Sequence, residues 1–398
     1  MKIGIFLGEI PPPHFINLLV CNIAEKEHQV FLYGSLKDNN FHYNNSYILL
    51  KAKPNNKVNI FLTSILLIIK LIYNERSLAS LLLLQIWRHE KKIHSFIKRC
   101  CTVIPPFLDD LDVFHIQWAK TLAIYPEFID QLKCPIILSL RGTHINVSPL
   151  ADEDLATLYR KYFPKINGFH AVSQSIIKEA MKYGADCNKI TFIHPAIDRI
   201  LLDDKPEKSD AIKSDILHII SVGRCHWIKG YTVALEAMAI LKKRGINFYY
   251  TIIAGGRDHE NIHFQIHDLG LSEYVTFING LPHDKVIERV SESDLFLLPS
   301  VEEGISNAVL EAMALRVPVI STDCGGMAEV IRSGENGFII PVRDPDSTVQ
   351  AIQNFQHLDE TRKMVIVNNA RETIIQNHLM SVQIDRFKSF YYNITQKL

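Results

Sequence analysis

Residues 294–337, DLFLLPSVEEGISNAVLEAMALRVPVISTDCGGMAEVIRSGENG, contain the pattern that decides the predicted fold. Leu295 to Leu298 form an apolar run that ends at Pro299, which is typical of a buried strand leading into a loop. A helical stripe of apolar residues follows, and a second short strand pattern starts at Val317. Two strand–loop–helix units in succession are typical of a parallel, doubly wound sheet, which binds ligands at the carboxyl ends of its strands.

The same alternation of strands and helices runs through the rest of the chain in two similar halves. The polar segment 198–215 contains Pro206 and is the best linker candidate. Because 398 residues are more than a single hydrophobic core usually contains, we predict two domains, 1–200 and 201–380. The predicted fold class is α/β, with two doubly wound, Rossmann-like domains that face each other across a cleft.

Composition and charge exclude several classes of protein. Lys and Arg number 43, as do Asp and Glu, so no net basic field indicates nucleic acid as a partner. Seven cysteines without a CxxC pair fit a reducing compartment. No HExxH or comparable spacing indicates a metal site. The amino-terminal sequence MKIGIFLGEIPPP lacks the basic segment and long apolar core of a signal peptide, so we expect a cytoplasmic protein.

Two apolar stretches, 60–69 and 78–87, allow two interpretations. Each is too short to span a bilayer, and we favour two helices of the hydrophobic core. The alternative is a membrane-facing surface, because Trp87, Arg88 and Lys91 give a basic patch beside the second stretch. That surface would make peripheral contact with the inner, cytoplasmic face of a membrane.

The segment 222–230, VGRCHWIKG, follows a predicted strand and opens a helix. Its backbone amides and the helix dipole favour an anion. Arg224 and Lys229 add two positive charges, and an arginine can hold two phosphate oxygens at once. The loop alone could be an incidental solvated one, but its position after a strand favours a phosphate site.

Glu303 and Glu311 form a candidate carboxylate pair in the opening stretch. Glu303 lies in the predicted loop, where Glu302 competes with it as the inward-pointing residue. Glu311 lies on the predicted helix, where a carboxylate could accept both hydroxyls of a ribose. Pairs with this spacing are common by chance, so the pair is weak evidence by itself.

The sequence 300–331, SVEEGISNAVLEAMALRVPVISTDCGGMAEVI, resembles the signature of family 4 glycosyltransferases, the group 1 type, which have the GT-B fold. The segments AVSQSIIKEAMKYG, KITFIHPAID and VTFINGLPHD are similar to that family in the same order. The resemblance covers most of the chain from about residue 112 and is more specific in the second half. It implies an acceptor-side first domain, a donor-binding second domain, and a carboxyl-terminal helix at about 381–398 that packs back on the first.

The resemblance also implies a retaining enzyme of the hexosyltransferase type (EC 2.4), with no cofactor and no metal held by a DxD motif. It implies that Arg224 and Lys229 hold the diphosphate of a UDP- or GDP-sugar. Glu311 would bind the ribose and Glu303 would face the donor sugar. Further donor-binding residues would be Gly304, Ile305, Ser306, Asn307, Gly223, Gly280 and Leu281.

The first half departs from the family pattern at two places. Arg141 stands where many relatives have a catalytic histidine. Either His144 takes over the role of that histidine, or Arg141 binds phosphate or the donor sugar. Relatives often carry paired glycines after the first strand, whereas this chain has Gly8 followed by a run of prolines. Gly8 alone could serve the donor, or its loop could shape an acceptor site. His115 lies in a buried strand pattern and is expected to be a hydrogen-bonded core residue.

The predicted function is therefore transfer of a sugar to a hydroxyl of a glycan or lipid-linked acceptor, with surface polysaccharide biosynthesis as the expected setting. Two alternatives are a sugar-nucleotide epimerase of the same fold and a non-catalytic sugar-nucleotide binder. An epimerase would release a changed nucleotide sugar without an acceptor, and a binder would leave the donor intact.

Overall fold

The computed structural model describes residues 1–38, 40–203, 216–257 and 259–396. The chain divides into two compact units, Met1–Ile193 with Gln383–Leu398 and His194–Val382. Each unit contains one sheet whose strands are all parallel and are joined by helical crossovers. The predicted α/β class with two doubly wound domains is thereby confirmed. Within the predicted linker, residues 204–215, with Pro206, lie outside the described residues.

The first unit has a seven-stranded sheet in the order β3-β2-β1-β4-β5-β6-β7. The chain winds outward from β1 to β3 and then continues from β4 on the other side, so the switch point lies between β1 and β4. Most of these strands are buried on both faces, which explains their continuous apolar runs. The strands are β1 Lys2–Ile10, β2 Gln29–Leu36, β3 Ile48–Lys53, β4 Val113–Ile116, β5 Ile136–Leu140, β6 Gly168–Ala171 and β7 Ile190–Phe192.

Helices connect these strands, and several begin at side chains that cap their first turn. Ser173 Oγ accepts a hydrogen bond from Ile176 N, as an N-cap residue does. The helices are α1 His14–Ile23, α2 Lys57–Asn74, α3 Arg76–His89, α4 Ile93–Val103, α5 Pro105–Leu108, α6 Thr121–Ile124, α7 Glu127–Gln131, α8 Thr143–Asn146, α9 Ser148–Ala151, α10 Glu153–Tyr162 and α11 Gln174–Met181.

The prediction that both apolar stretches form core helices is wrong for the first one. α2 buries only Ser64 and Leu71, and most of its large apolar side chains are exposed. α3 agrees better with the prediction, since Ala79, Leu82 and Ile86 are buried. The apolar composition predicted a helix correctly, but it could not predict how much of the helix surface other elements would cover.

The second unit has a six-stranded sheet in the order β10-β9-β8-β11-β12-β13, with its switch point between β8 and β11. Its core fills the space between this sheet and the crossover helices. The strands are β8 Leu217–Arg224, β9 Phe248–Gly255, β10 Val275–Ile278, β11 Leu295–Leu298, β12 Val319–Thr322 and β13 Phe338–Ile340. The helices are α12 Tyr231–Lys243, α13 Glu260–Asp268, α14 His283–Glu292, α15 Asn307–Ala314, α16 Pro345–Gln356 and α17 Glu360–Asn377.

The last helix, α18 Met380–Thr395, contributes most of its length to the first unit. Lys388 Nζ lies 2.7 Å from Glu25 Oε1, and Tyr391 is fully buried there. A Cβ added to Gly168 on β6 would lie 2.7 Å from Ile394 Cδ1. The close packing of α18 on the first sheet therefore depends on the small residue at 168.

Candidate functional site

The switch point of the second sheet brings together the loops after β8 and β11. Both strands are parallel and neighbouring, so the loops after Arg224 and Leu298 start at the same edge of the sheet. We call residues 223–230 and 299–311 the switch-point edge. Arg224 lies at the end of β8 and has an exposed side chain. It is not part of the Lys229–Glu303 ion pair that joins the two loops.

An ion pair joins the two loops of the switch-point edge. Lys229 Nζ donates a hydrogen bond to Glu303 Oε1, and Ser300 Oγ donates to the same oxygen at 2.9 Å. Both charged side chains are largely buried. A Cβ at Gly223 would lie 3.1 Å from Lys229 Cε. Glycine at 223 therefore gives the Lys229 side chain room to reach Glu303.

Two glycines with left-handed backbone hold the loop after β11 close to its neighbours. A Cβ at Gly230, which has a φ of 67°, would lie 1.9 Å from Pro299 O. A Cβ at Gly325, which has a φ of 56°, would lie 1.7 Å from Glu303 O. Only glycine tolerates both this φ and this approach. The loop after β12 thus packs against the backbone of Glu303, while Lys229 holds its side chain.

The amino-terminal end of α15 lies in the same loop. Gly304, Ile305 and Ser306 are buried just before the helix. The Ser306 side chain makes no capping hydrogen bond, and its backbone N–H donates to Met327 Sδ at 3.3 Å. Asn307 Oδ1 is buried and has no hydrogen-bond partner among the described residues. An uncapped helix start favours an anion, because its amides and dipole carry partial positive charge.

Glu311 lies on α15 one turn after Asn307. His283, the first residue of α14, donates a hydrogen bond from Nε2 to Glu311 Oε1 at 2.9 Å. This hydrogen bond is the main cause that raises the pKa of His283. A carboxylate can accept several hydrogen bonds, so Glu311 keeps capacity for ligand hydroxyls. The pair fixes the Glu311 side chain before any ligand binds.

The loop after β10 leads to His283, which contacts Glu311 of the switch-point edge. Gly280 has a φ of 74°, and a Cβ there would lie 3.4 Å from Gly255 Cα. Leu281 packs partly buried against the core beside α14 and α15. The structure therefore places Gly280 against the end of β9 and Leu281 against the core that includes residues of α15.

A second polar cluster lies at the carboxyl edge of the first sheet. Arg141 follows β5; its Nη2 donates to Gln117 Oε1 at 3.0 Å, and its guanidinium lies 5.0 Å from the Phe15 ring centroid. Burial lowers the pKa of Arg141 to about 10, so the group stays charged at neutral pH. Arg141 Nε has no hydrogen-bond partner among the described residues. A partly buried guanidinium with an unpartnered buried Nε favours an anionic ligand.

His144 and Gly8 border the same side of the first sheet. The His144 ring centroid lies 5.5 Å from that of Trp118, and Trp118 Nε1 donates to Leu7 O at 3.0 Å. Gly8 has a φ of 81°, and the pairing of β1 with β2 shifts register between Phe6 and Gly8. Trp118 thus connects the His144 ring to the end of β1.

A buried hydrogen-bonded chain lies beneath Arg141. His115 Nε2 lies 2.8 Å from Ser139 Oγ, which lies 2.9 Å from His170 Nδ1. His115 Nδ1 lies 2.7 Å from the Tyr391 hydroxyl of α18. Burial lowers the pKa of His115 to about 3 and also lowers the pKa of His170, so both rings are neutral at pH 7. His115 is a hydrogen-bonded core residue, as the sequence predicted.

Sequence reasoning missed three polar residues that support these clusters. His283 had a signal, since it lies in the segment VTFINGLPHD that resembled the family, but no role was assigned to it. Ser139 and His170 had a weaker signal, because each is a polar residue inside an apolar strand. Partners far apart in sequence cannot be paired from a pattern alone.

Comparisons with known proteins show which family model and relatives the chain resembles. The family model Glycosyl transferases group 1 matches residues 203–373. The chain is 28% identical over 281 residues to the putative colanic acid biosynthesis glycosyltransferase WcaL of Escherichia coli strain K12. That alignment covers 69% of this chain and 68% of WcaL.

Solved structures with the same architecture cover nearly the whole chain. Sucrose-phosphate synthase from Thermosynechococcus elongatus superposes with a TM-score of 0.75 and 14% identity over 100% of both chains. Anabaena HepE in complex with UDP gives a TM-score of 0.72 and 16% identity over 98% of this chain and 99% of that one. At these identities the likeness establishes the fold, and it confirms the predicted GT-B class.

Proposed function

We propose that this chain, whose residues 203–373 match the model of the glycosyl transferases group 1, moves a sugar from a nucleotide diphosphate sugar to a hydroxyl group with retention of configuration. The proposed class is a transferase of the hexosyltransferase type. The observation that carries the proposal is the Lys229–Glu303 pair, set across the switch point next to the uncapped start of α15.

The geometry suits departure of a nucleotide diphosphate. In the proposed reaction the bond from the sugar C1 to the β-phosphate oxygen breaks, and the acceptor oxygen bonds to C1 on the same face. The acceptor proton passes to an oxygen of the departing phosphate. Lys229, Arg224 and the α15 amides would stabilise the charge that grows on this phosphate, more in the transition state than in the ground state.

The donor is proposed to be a UDP- or GDP-sugar. HepE binds UDP in its solved complex, which supports a uridine nucleotide as the first ligand to test. Glu311, held by His283, would accept the ribose hydroxyls, and Glu303 would act electrostatically on the electron-poor sugar. No covalent nucleophile is assigned to Glu303.

The acceptor is proposed to be a glycan or a lipid-linked sugar in surface polysaccharide biosynthesis. The support is the similarity to WcaL, which is described as a colanic acid biosynthesis glycosyltransferase. Arg141, His144 and Gly8 in the first unit are the candidate groups for this half of the reaction. The partly buried charge of Arg141 favours an acceptor that carries a phosphate or a carboxylate.

The test is a transfer assay with Lys229→Ala and Glu311→Ala. Both variants should lose transfer by at least about 10²-fold while keeping the circular dichroism of the wild type. Lys243→Ala, at the exposed end of α12, is the matched control and should keep its activity. Full transfer in both site variants would refute the site. A changed nucleotide sugar formed without an acceptor would instead identify an epimerase.

We also propose that transfer needs no metal cofactor and that the protein is cytoplasmic, as the sequence predicts. The first of these is tested by removing metal ions. Transfer by wild-type protein should be unchanged after dialysis against EDTA. Loss of transfer that added Mg²⁺ or Mn²⁺ restores would contradict the metal-free reaction.

A further inference from the structure

The outward face of α2 is apolar, which is the reverse of an ordinary surface helix. Its exposed large side chains recur every three or four residues, so they form one stripe about 22 Å long. Exposed fractions run from 39% at Ile65 to 89% at Tyr73. The stripe starts with Val58, Phe61, Leu62, Ile65, Leu66 and Ile69.

The opposite face attaches α2 to the first unit. Ser64 Oγ donates to Ile97 O of α4 at 2.7 Å, and Cys101 Sγ donates to Ile60 O at 3.2 Å. Leu71 is fully enclosed in the core of the unit. α2 therefore lies along the surface with its apolar stripe outward, and lifting it off would break these contacts.

The neighbouring helix extends the apolar stripe. Leu81, Leu84 and Trp87 of α3 are exposed at helical spacing, and Ile93 is exposed at the start of α4. The Trp87 ring lies 5.5 Å, centroid to centroid, from Phe96 of α4. We call the exposed side chains of residues 57–93 the α2–α3 face.

Positive charge surrounds these apolar side chains. Residues 57–93 contain six Lys or Arg and two Glu, although the whole chain is balanced at 43 of each sign. Lys57, Lys70, Arg88, Lys91 and Lys92 are all exposed. Arg88 follows Leu84, and Lys70 follows Leu66, by one helical turn, so long basic side chains border the stripe.

The two glutamates of this segment do not offset that charge, because each has a basic partner. Glu75 Oε1 lies 2.8 Å from Lys133 Nζ, and Glu90 Oε1 lies 3.2 Å from Arg99 Nη1. The outward charge of the face is therefore strongly positive.

We propose that the α2–α3 face binds the surface of an anionic lipid membrane, with α2 lying in the plane of the headgroups. Exposed apolar side chains enter the boundary between headgroups and acyl chains, and the basic side chains contact lipid phosphates. Among the described residues, α2 alone is long and apolar enough to cross a membrane by length and composition. Crossing would remove its contacts with α4, so the helix binds the membrane in plane.

A second copy of this chain fits the face less well than a membrane does. Pairing two such faces would bury apolar side chains but would also bring two sets of lysines and arginines together. Their like charges repel, and the segment has no unpaired glutamate to compensate them. An anionic surface matches both the apolar and the basic side chains.

The test is cosedimentation of the full chain with vesicles at about 0.1 M salt. One set contains phosphatidylcholine with about 30% phosphatidylglycerol, and the other contains phosphatidylcholine alone. The wild type should bind the anionic vesicles at least about tenfold more tightly, and salt should weaken this binding. This measurement does not depend on the proposed enzymatic activity.

Two pairs of substitutions test the two parts of the face. Leu62→Gln with Leu66→Gln, and Lys91→Glu with Lys92→Glu, should each weaken binding at least about tenfold. Phe264→Gln and Lys243→Glu alter an exposed apolar side chain and an exposed lysine of the second unit, so they serve as matched controls. All four positions of the face are exposed, so folding should be unaffected.

Three results would overturn the proposal. The first is equal affinity of face variants and controls for anionic vesicles, or no binding by the wild type. The second is a wild-type dimer that the Leu62 and Leu66 substitutions dissociate, without vesicle binding. The third is protein that resists alkaline extraction from membranes, which would indicate a spanning α2.

Discussion

At the residue scale, Glu303 is fixed by contacts from three parts of the second unit. Lys229 pairs with its carboxylate, Ser300 donates to the same oxygen, and Gly325 lets the neighbouring loop touch its backbone. A carboxylate held by a lysine and a hydroxyl is well suited to electrostatic stabilisation. It is poorly suited to nucleophilic attack, because its charge is already partly neutralised.

Glu303→Gln should slow transfer by about 10²-fold while changing donor affinity little. The amide keeps the size of the side chain but loses the charge that we propose acts on the donor sugar. Glu302→Gln is the control, because the adjacent carboxylate is not part of the ion pair. Steady-state kinetics of both variants provide the measurement. A large loss in Glu302→Gln with normal turnover in Glu303→Gln would reverse the assignment.

Gly325→Ala should lower the free energy of unfolding by about 2–5 kcal/mol, from a strained φ and a Cβ that overlaps Glu303 O. Gly334→Ala is the matched control, since Gly334 has a φ of 79° but nothing within 4 Å of its Cβ. It should cost only about 1–2 kcal/mol. Urea denaturation measures both. Equal losses would show that the contact with Glu303 contributes nothing.

The sequence predicted these residues to different degrees. Glu303 and Glu311 stood out because they lie in a loop and a helix whose patterns were clear. Which carboxylate pairs with Lys229 depends on a distance across 74 positions of the chain. The His283–Glu311 bond likewise spans 28 positions, and no local pattern encodes it.

At the element scale, buried strands were the most predictable parts. Leu295–Leu298 was predicted to the residue, because it is a short apolar run bounded by polar or turn residues. β3, Ile48–Lys53, was missed because it is an edge strand whose last residues are polar. The exposure of α2 could not be predicted, because composition indicates how hydrophobic a helix is but not which elements pack against it.

α18 and the first sheet are joined through His115, which makes this connection sensitive to acid. The folded pKa of His115 lies near 3, below the usual value, so the unfolded chain binds a proton first as pH falls. Stability should therefore fall below pH 6.5 by up to about 1.4 kcal/mol per pH unit from this group. His170, whose pKa burial also lowers, adds a loss of the same sign.

His115→Asn should flatten this dependence between pH 6 and pH 4, with His89→Asn, at an exposed position, as the control. A Trp227→Phe background leaves Trp87 and Trp118, both in the first unit, to report unfolding by fluorescence. Identical slopes in the His115 variant and the control would contradict a neutral, buried His115.

At the scale of the whole molecule, the two units repeat one plan. In each sheet the switch point lies between two central strands, β1 and β4 in the first unit and β8 and β11 in the second. Each carries a partly or largely buried cation at the carboxyl edge, Arg141 in the first unit and Lys229 in the second. Both sheets could be predicted from strand–helix alternation, whereas the resemblance to the family was more specific in the second half than in the first.

The central claim is that the switch-point edge of the second unit binds the diphosphate of a nucleotide sugar. Calorimetric titration of the wild type with UDP and with GDP tests it most directly. We predict that at least one nucleotide binds and that Lys229→Met weakens it by about tenfold or more, since a charged hydrogen bond to phosphate is lost. Lys243→Met should bind like the wild type. Absence of binding by either nucleotide, or equal affinity in Lys229→Met and the wild type, would contradict the claim.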